Sequence, residues 1–206
     1  MDVYEKVAQM IKDCKPAVVL TGAGISTDSG IPDFRSPGSG LWEKVDPMEA
    51  LSAEVLYNDP KKFYSLGFNI ITSMKDAAPN KAHYMVAKLE EKGFVDLVVT
   101  QNIDGLHHKA GSKNIYEVHG TSRTCSCDSC GEVYDINIID KRVKAGEIPP
   151  KCRCRGTIRP DVVLFGDMLP GCFYDSIQKV QEAELLIVIG SSLSVSPVNY
   201  LAEICK

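Results

Sequence analysis

Four short runs of the sequence contain residue types that can bind or activate a small molecule. In chain order they are Gly22-Ala23-Gly24-Ile25-Ser26, Gln101-Asn102-Ile103-Asp104, Tyr116-Glu117-Val118-His119-Gly120, and a group of cysteines between positions 125 and 154. Glycine turns suit phosphates, a histidine suits proton transfer, and clustered thiolates suit a metal ion. Together, in this order, the runs predict a nucleotide-binding site, an acid/base histidine and a metal module in one chain.

The glycine-rich run follows an apolar segment, residues 17–20, that predicts a strand leading into a tight turn. Glycines there let the backbone approach a phosphate, and backbone N–H groups can hold the anion. The third position of the dinucleotide fingerprint is Thr27 rather than glycine, which weakens the prediction of a simple dehydrogenase. Taken alone, the run also fits an ordinary strand-to-helix turn without a ligand.

The segment after this run contains Gly30 and Pro32, which favour a shaped loop over a helix. Asp33, Phe34 and Arg35 follow at once and are candidates to cover a bound ligand. The alternative for these three residues is a solvated turn with a surface ion pair.

Asn102 and Asp104 come directly after the apolar segment 95–100, and His119 comes directly after the segment 115–118. The carboxyl ends of parallel strands face the ligand crevice, so these side chains are expected to meet there. The amide and carboxylate can bind an amide or a sugar, and the histidine can act as a general base. The alternatives are helix capping by Asn102 or Asp104 and an ordinary structural histidine. His83, His107 and His108 are interpreted as structural.

The cysteines form two close pairs, Cys127 with Cys130 and Cys152 with Cys154. Two such pairs predict a closed, structural zinc site with four thiolate ligands. Cys125 offers a competing ligand, and reduced free thiols or a disulfide are the alternatives. The start of the chain has no secretory signal, which favours a reducing cytoplasm and therefore a metal site over disulfides.

Composition excludes several classes of protein. The chain has 206 residues, of which 44% are hydrophobic and 24% charged, as in a soluble globular protein with one sizeable core. A net charge of −4 provides no broad basic surface, so direct binding of nucleic acid is not expected. No apolar run approaches the roughly 20 residues that span a bilayer, so no membrane association is expected.

Apolar segments alternate with helical patterns along most of the chain, which predicts an α/β fold with a parallel sheet covered by helices on both faces. The strands are predicted at 17–20, 95–100, 115–118, 162–165 and 185–189, and the helices at 2–13, 80–91, 172–182 and 197–206. Two stretches interrupt the alternation: 36–76, which has a helical and loop-like pattern, and 123–158, which contains the cysteine pairs. The larger domain therefore comprises 1–35, 77–122 and 159–206, and the two interruptions form a smaller lobe.

These runs, with others, resemble the sirtuins, a family of NAD-dependent protein deacylases, over essentially the whole chain. The further matching runs are Ser29–Arg35, His107 beyond Asp104, Ile158-Arg159-Pro160-Asp161-Val162-Val163-Leu164-Phe165-Gly166 and Gly190-Ser191-Ser192-Leu193. The resemblance implies a Rossmann-like domain, a smaller zinc-binding and helical lobe, and NAD bound across the sheet. The family's first zinc ligand lies eight residues after its histidine, which selects Cys127 over Cys125.

The resemblance also implies a role for each site residue. Contacts with NAD are implied for Gly22, Ala23, Gly24, Ser26, Ile31, Asp33, Phe34, Arg35, Gln101, Asn102, Ile103, Asp104, Gly190, Ser191 and Ser192. Within that set, Asn102, Asp104, Ile31 and Ile103 are expected around the nicotinamide. Phe34, Val163, Phe165 and His119 are expected to contact the acyl-lysine, with His119 as the base and Asn102 also catalytic. The zinc ligands are Cys127, Cys130, Cys152 and Cys154.

The implied activity is transfer of the acetyl group from a lysine of a protein or peptide to the ADP-ribose part of NAD, with release of nicotinamide. NAD is therefore a co-substrate. Two alternatives stay open: a non-catalytic module that binds NAD or ADP-ribose, and an NAD glycohydrolase or ADP-ribosyltransferase with the same pocket. Family members usually continue with a further strand and helix, so the resemblance also implies more chain after Lys206 than is present here.

Overall fold

The structure is a computed structural model that describes residues 2–33, 38, 40–43 and 45–205, without the side chain of Trp42. Its α-helices are α1 (Val3–Asp13), α2 (Pro47–Ala50), α3 (Ala53–Asn58), α4 (Pro60–Ser65), α5 (Gly67–Ser73), α6 (Lys81–Glu91), α7 (Leu106–Ala110), α8 (Ile136–Lys144), α9 (Gly171–Glu182) and α10 (Leu201–Ile204). Its strands are β1 (Ala17–Thr21), β2 (Leu97–Thr100), β3 (Ile115–Glu117), β4 (Gly120–Cys127), β5 (Val133–Asp135), β6 (Ile158–Val162) and β7 (Leu185–Ile189). Short 3₁₀ turns lie at Ala23–Ser29, Leu41–Glu43 and Val198–Tyr200.

Four strands form a parallel sheet in the order β3-β2-β1-β7. The central strand β1 is buried along its whole length because its Ala-Val-Val-Leu-Thr sequence is covered on both faces. Val19 lies between Val98 of β2 and Ile187 of β7. Val86 of α6 packs on one face of the sheet, while Phe173 and Val180 of α9 pack on the other. The predicted helix-covered parallel sheet is confirmed.

The predicted helices are confirmed with small changes of boundary. Asp2 and Asn80 cap α1 and α6 through their side chains, so each helix starts one residue later than predicted. The helix predicted at 172–182 starts at Gly171. The segment predicted as a helix at 197–206 forms a 3₁₀ turn and the short α10 in its described part, and Lys206 lies outside the described residues. No helix among the described residues is long and apolar enough to cross a membrane.

One predicted strand is wrong. Residues 162–165 do not add to the parallel sheet; the strand is Ile158–Val162, and it pairs antiparallel with β4. The second sheet has three strands in the order β5-β4-β6. Burial alternates along β6, as expected for a sheet with one covered face, and Leu164 beyond its end is buried in the same apolar core as Ile158 and Val162 of the strand. The apolar character of 162–165 therefore reflects packing beyond the strand rather than sheet formation.

The described residues of the segment 36–76 are helical or irregular, as predicted, and they pack against the second sheet. Phe63, Tyr64 and Phe68 are fully buried in one apolar core with Ile139 of α8 and Ile158 of β6. Burial of one such side chain contributes about 1.5–3 kcal/mol. The Tyr64 hydroxyl donates to the carbonyl of Ile158, so its polar atom is satisfied inside this core. The two sequence interruptions thus share one core.

Candidate active site

A cleft of about 690 Å³ lies where the parallel sheet meets the core that the helical segment shares with the second sheet. One wall follows the carboxyl ends of β1, β2 and β7, and the opposite wall comes from β6 and the residues after it. The predicted site residues that line it are Gly22, Ala23, Gly24, Ser26, Ile31, Asp33, Gln101, Asn102, Ile103, Asp104, His119, Val163, Phe165, Gly190, Ser191 and Ser192. Phe34 and Arg35 lie outside the described residues. The structure therefore brings together every described site residue that the sequence singled out around the ligand.

The glycines after β1 allow two loops to touch at the floor of the cleft. A Cβ added at Gly24 would lie 2.9 Å from the Cα of Gly190, and one at Gly22 would lie 2.8 Å from the Gly190 carbonyl oxygen. The Gly24 N–H donates to that same carbonyl at 2.8 Å. Side chains are therefore excluded here, and the open floor suits a ligand with an extended, phosphate-bearing shape.

Three buried polar side chains form a network at the inner end of the cleft. The Ser26 hydroxyl donates to the Asp104 carboxylate at 2.7 Å, and the Asn102 amide donates to the Ser26 oxygen at 3.1 Å. The same Asn102 nitrogen also lies within hydrogen-bond distance of the Gly22 carbonyl, at 3.1 Å. Asp104 accepts the N–H of Leu106 at 2.8 Å, so its carboxylate also satisfies the first backbone donor of α7. These contacts hold a buried amide and a buried carboxylate in fixed positions beside the cleft, where they can orient a small polar ligand.

His119 is half-buried in the turn between β3 and β4, and its ring is oriented by one backbone contact. Its Nδ1 lies 3.0 Å from the Gln101 carbonyl oxygen, which only accepts, so Nδ1 carries the proton. The neutral ring therefore has its unprotonated nitrogen at Nε2. Burial lowers the pKa of His119, and the bond to Gln101 opposes part of that shift. The ring is thus neutral near pH 7, as a general base requires.

Two other histidines are buried beneath the network. The His83 Nε2 lies 3.5 Å from the Ser26 hydroxyl, and the His107 Nε2 lies 3.0 Å from the Thr21 hydroxyl. Burial lowers the pKa of both, that of His107 to about 3. Both rings are therefore neutral, and neither lines the cleft, in agreement with the structural interpretation. His108 is exposed and also lies outside the cleft.

The four predicted cysteine ligands form one cluster at the tip of the second sheet. The sulfur atoms of Cys127, Cys130, Cys152 and Cys154 all lie within 4.8 Å of one another. The Cys127–Cys154 and Cys130–Cys152 sulfur pairs are 3.4 and 3.6 Å apart. Four ligands at the usual zinc–sulfur distance of about 2.3 Å have a sulfur–sulfur separation near 3.8 Å, so the cluster fits tetrahedral zinc.

Cys125 is not part of this cluster. It is fully buried in the apolar core, and burial raises the pKa of its thiol, which disfavours the thiolate that a metal requires. The sequence offered no sign that Leu51 and Met74 line the cleft, although both do. They come from the helical segment, and only its packing against the second sheet brings them there.

The fold and the site define a Rossmann-like α/β protein with a cleft at the strand ends and a separate four-cysteine, zinc-type module. The model of the Sir2 family matches residues 22–197. The chain belongs to the Sir2 family.

Similar proteins support this assignment. The chain is 56% identical over 201 residues to NAD-dependent protein deacetylase 2 of Caldanaerobacter subterraneus subsp. tengcongensis, covering 97% of this chain and 80% of that protein. A solved Sir2 structure with a deacetylated p53 peptide and 3′-O-acetyl-ADP-ribose superposes with a TM-score of 0.92 at 39% identity, covering 98% of this chain and 81% of that one. A Sir2 structure with a p53 peptide and NAD⁺ superposes with a TM-score of 0.87 at 38% identity, covering 100% and 82%.

Proposed function

We propose that the chain is an NAD-dependent protein lysine deacetylase that uses NAD and one water to transfer the acetyl group to ADP-ribose, and that releases the free lysine, nicotinamide and O-acetyl-ADP-ribose. The observation that carries the proposal is a single cleft that contains both the Ser26–Asn102–Asp104 network and His119. The names of the similar proteins agree, because one is a deacetylase and a solved relative holds a deacetylated peptide with an acetylated ADP-ribose. The substrates are acetyl-lysine proteins or peptides together with NAD.

The buried network is assigned to the nicotinamide end of the co-substrate. The oxygen of the acetyl-lysine amide is a weak nucleophile, so it requires a strongly electrophilic partner. The ribose carbon of NAD becomes such an electrophile when nicotinamide leaves. Asn102 and Asp104 orient the nicotinamide amide, with Ile31 and Ile103 packed around its ring. A pocket built from fixed donors and acceptors costs no reorganisation at the moment of reaction.

His119 is assigned as the general base. Its Nε2 is the free nitrogen, and its lowered pKa keeps it unprotonated, so it can accept a proton from a ribose hydroxyl. Val163 and Phe165 line the opposite wall and are assigned, with Phe34, to the acyl-lysine. Ala23 and the loop from Gly190 to Ser192 are assigned to the phosphates and the adenosine ribose. Gly22, Gly24, Asp33, Arg35 and Gln101 complete the proposed NAD contacts.

The apolar core that the segments 36–76 and 123–158 share supports the division of the chain into lobes. Residues 1–35, 77–122 and 159–206 are assigned to the NAD-binding domain, and 36–76 with 123–158 to the smaller lobe. A structural zinc ion is assigned to the four-cysteine cluster, where it contributes folding energy and takes no part in the reaction. We also infer a cytoplasmic location, in which these thiols stay reduced.

The variant His119→Ala tests the assignment. We expect it to lose peptide-dependent deacetylation, measured by mass spectrometry of the peptide, because the base is removed and the apolar cores are untouched. Circular dichroism and zinc content should match those of the parent protein. Tyr84→Ala is the control, since that ring is exposed and lies outside the cleft. Undiminished turnover in His119→Ala would rule out the proposed role.

A further inference from the structure

The turn that contains His119 joins the two sheets of the molecule. Glu117 is the last residue of β3 in the parallel sheet, and Arg123 lies within β4 of the antiparallel sheet. His119 lies between these two residues, at the point where the chain crosses from one sheet to the other. Any contact between Glu117 and Arg123 therefore closes a short loop around the histidine.

Glu117 and Arg123 form a bidentate ion pair across this turn. The Arg123 Nη1 donates to Glu117 Oε1 at 2.8 Å, and its Nη2 donates to Glu117 Oε2 at 2.7 Å. The carboxylate side chain is only 15% exposed. Two parallel hydrogen bonds between planar groups fix orientation as well as distance, which a single contact does not do.

The same segment is also tied to the loop that contains Asn102 and Asp104. The Ser122 hydroxyl and N–H both donate to the Ile103 carbonyl, at 2.7 and 2.9 Å. Gly105 has a φ of 70°, and a Cβ added there would lie 3.0 Å from Arg123 Nη1. The Arg123 guanidinium thus packs against Gly105, which follows Asn102 and Asp104 in their loop. The same guanidinium is bonded to Glu117, which precedes the turn that contains His119.

We propose that the Glu117–Arg123 ion pair positions His119 relative to Asn102 and Asp104, so that both residues act on the reaction through the histidine. This inference rests on the proposed role of His119 as the base. Neither side chain lines the cleft, so a direct contact with substrate is not involved. A catalytic group displaced by about 1 Å reacts far more slowly, and the ion pair opposes such a displacement at the junction of two sheets.

Kinetics of Arg123→Gln and Glu117→Gln test the inference. We expect kcat for deacetylation to fall roughly 10- to 100-fold. Exchange of labelled nicotinamide into NAD, measured with acetylated peptide, should fall much less because it precedes the step assigned to His119. The double variant should be no slower than either single variant, since the two residues act as a unit. Arg123→Lys, which keeps the charge but lacks the bidentate fork, should be intermediate and guards against a folding defect.

Arg142→Gln is the matched control, since Arg142 forms a second bidentate pair with Glu147 and neither residue lines the cleft. We expect it to lower the melting temperature to a similar extent and to leave kcat unchanged. Equal kcat losses in Arg123→Gln and Arg142→Gln would overturn the inference. So would a parallel fall of deacetylation and nicotinamide exchange in Arg123→Gln.

Nuclear magnetic resonance of the free protein separates this inference from the proposed function. The chain has only four histidines, so the ring resonance of His119 can be assigned by its absence in His119→Ala. We expect the pH titration of that resonance to shift in Arg123→Gln and not in Arg142→Gln. A shift in a protein without deacetylase activity would refute the proposed function and support the positioning role of the Glu117–Arg123 ion pair. An unshifted titration in an active protein would refute that positioning role.

Discussion

Two opposing effects set the pKa of the His119 imidazole. Burial disfavours the charged ring, while the Gln101 carbonyl favours it, and burial prevails, so the pKa lies below the ordinary value of 6.5. A general base works only when neutral, so activity is lost as pH falls through this pKa and is retained above it. We expect the acid limb of kcat/KM to have its midpoint below pH 6.5. A profile from about pH 5 to about pH 8 measures it, and a midpoint above 6.5 would contradict the assignment.

The residues of the cleft also predict which acyl groups are accepted. Among the described lining residues there is no lysine or arginine, and residues 36–122 contain no arginine at all. A carboxylate at the end of the acyl chain would therefore be buried there without a bidentate partner, which costs several kcal/mol. We expect acetyl-lysine peptides to react much faster than succinyl-lysine peptides of the same sequence. Succinyl turnover equal to or above acetyl turnover would show that a cation reaches the pocket.

At the scale of elements, β4, β6 and the turns next to them build the cysteine cluster. Cys127 ends β4, Cys130 lies in the turn before β5, and Cys152 and Cys154 precede β6. These short strands depend on the metal for part of their stability. We expect Cys127→Ala or Cys152→Ala to reduce zinc from one ion per chain to near zero and to lower the melting temperature.

Cys125→Ala is the control for this prediction, because its sulfur lies in the apolar core and outside the cluster. It should keep its zinc while losing some stability from the small cavity. Elemental analysis that finds full zinc occupancy in all three variants would contradict the assigned ligand set.

The same elements show which parts of the fold were predictable. The two central strands β1 and β2 were predictable, because burial on both faces demands continuous apolar runs such as Ala17–Thr21. β4 and β5 were not, since their polar sequences show no such run and their pairing is set by tertiary contacts. The apolar run at 162–165 gave a wrong strand because its side chains serve a core and a cleft rather than the parallel sheet: Val162 and Leu164 are buried in an apolar core, and all four residues line the cleft.

At the scale of the whole molecule, the site residues at strand ends were predictable because parallel strands direct their carboxyl ends to one edge. Asn102 and His119 meet in the cleft for this reason. Leu51 and Met74 reach the same cleft from the helical segment, and the Glu117–Arg123 pair spans the two sheets. These contacts depend on how the helical segment and the two sheets pack together, which no local pattern in the sequence records.

Release of nicotinamide from NAD tests the central claim most directly. It should be measured together with loss of the acetyl group, first with an acetyl-lysine peptide and then with the same peptide unmodified. A deacetylase of the proposed kind produces nicotinamide and deacetylated peptide in equal amounts, and nearly none of the nicotinamide without the acetyl group. Nicotinamide release at the same rate with the unmodified peptide would show an NAD glycohydrolase or ADP-ribosyltransferase and would contradict the proposed function.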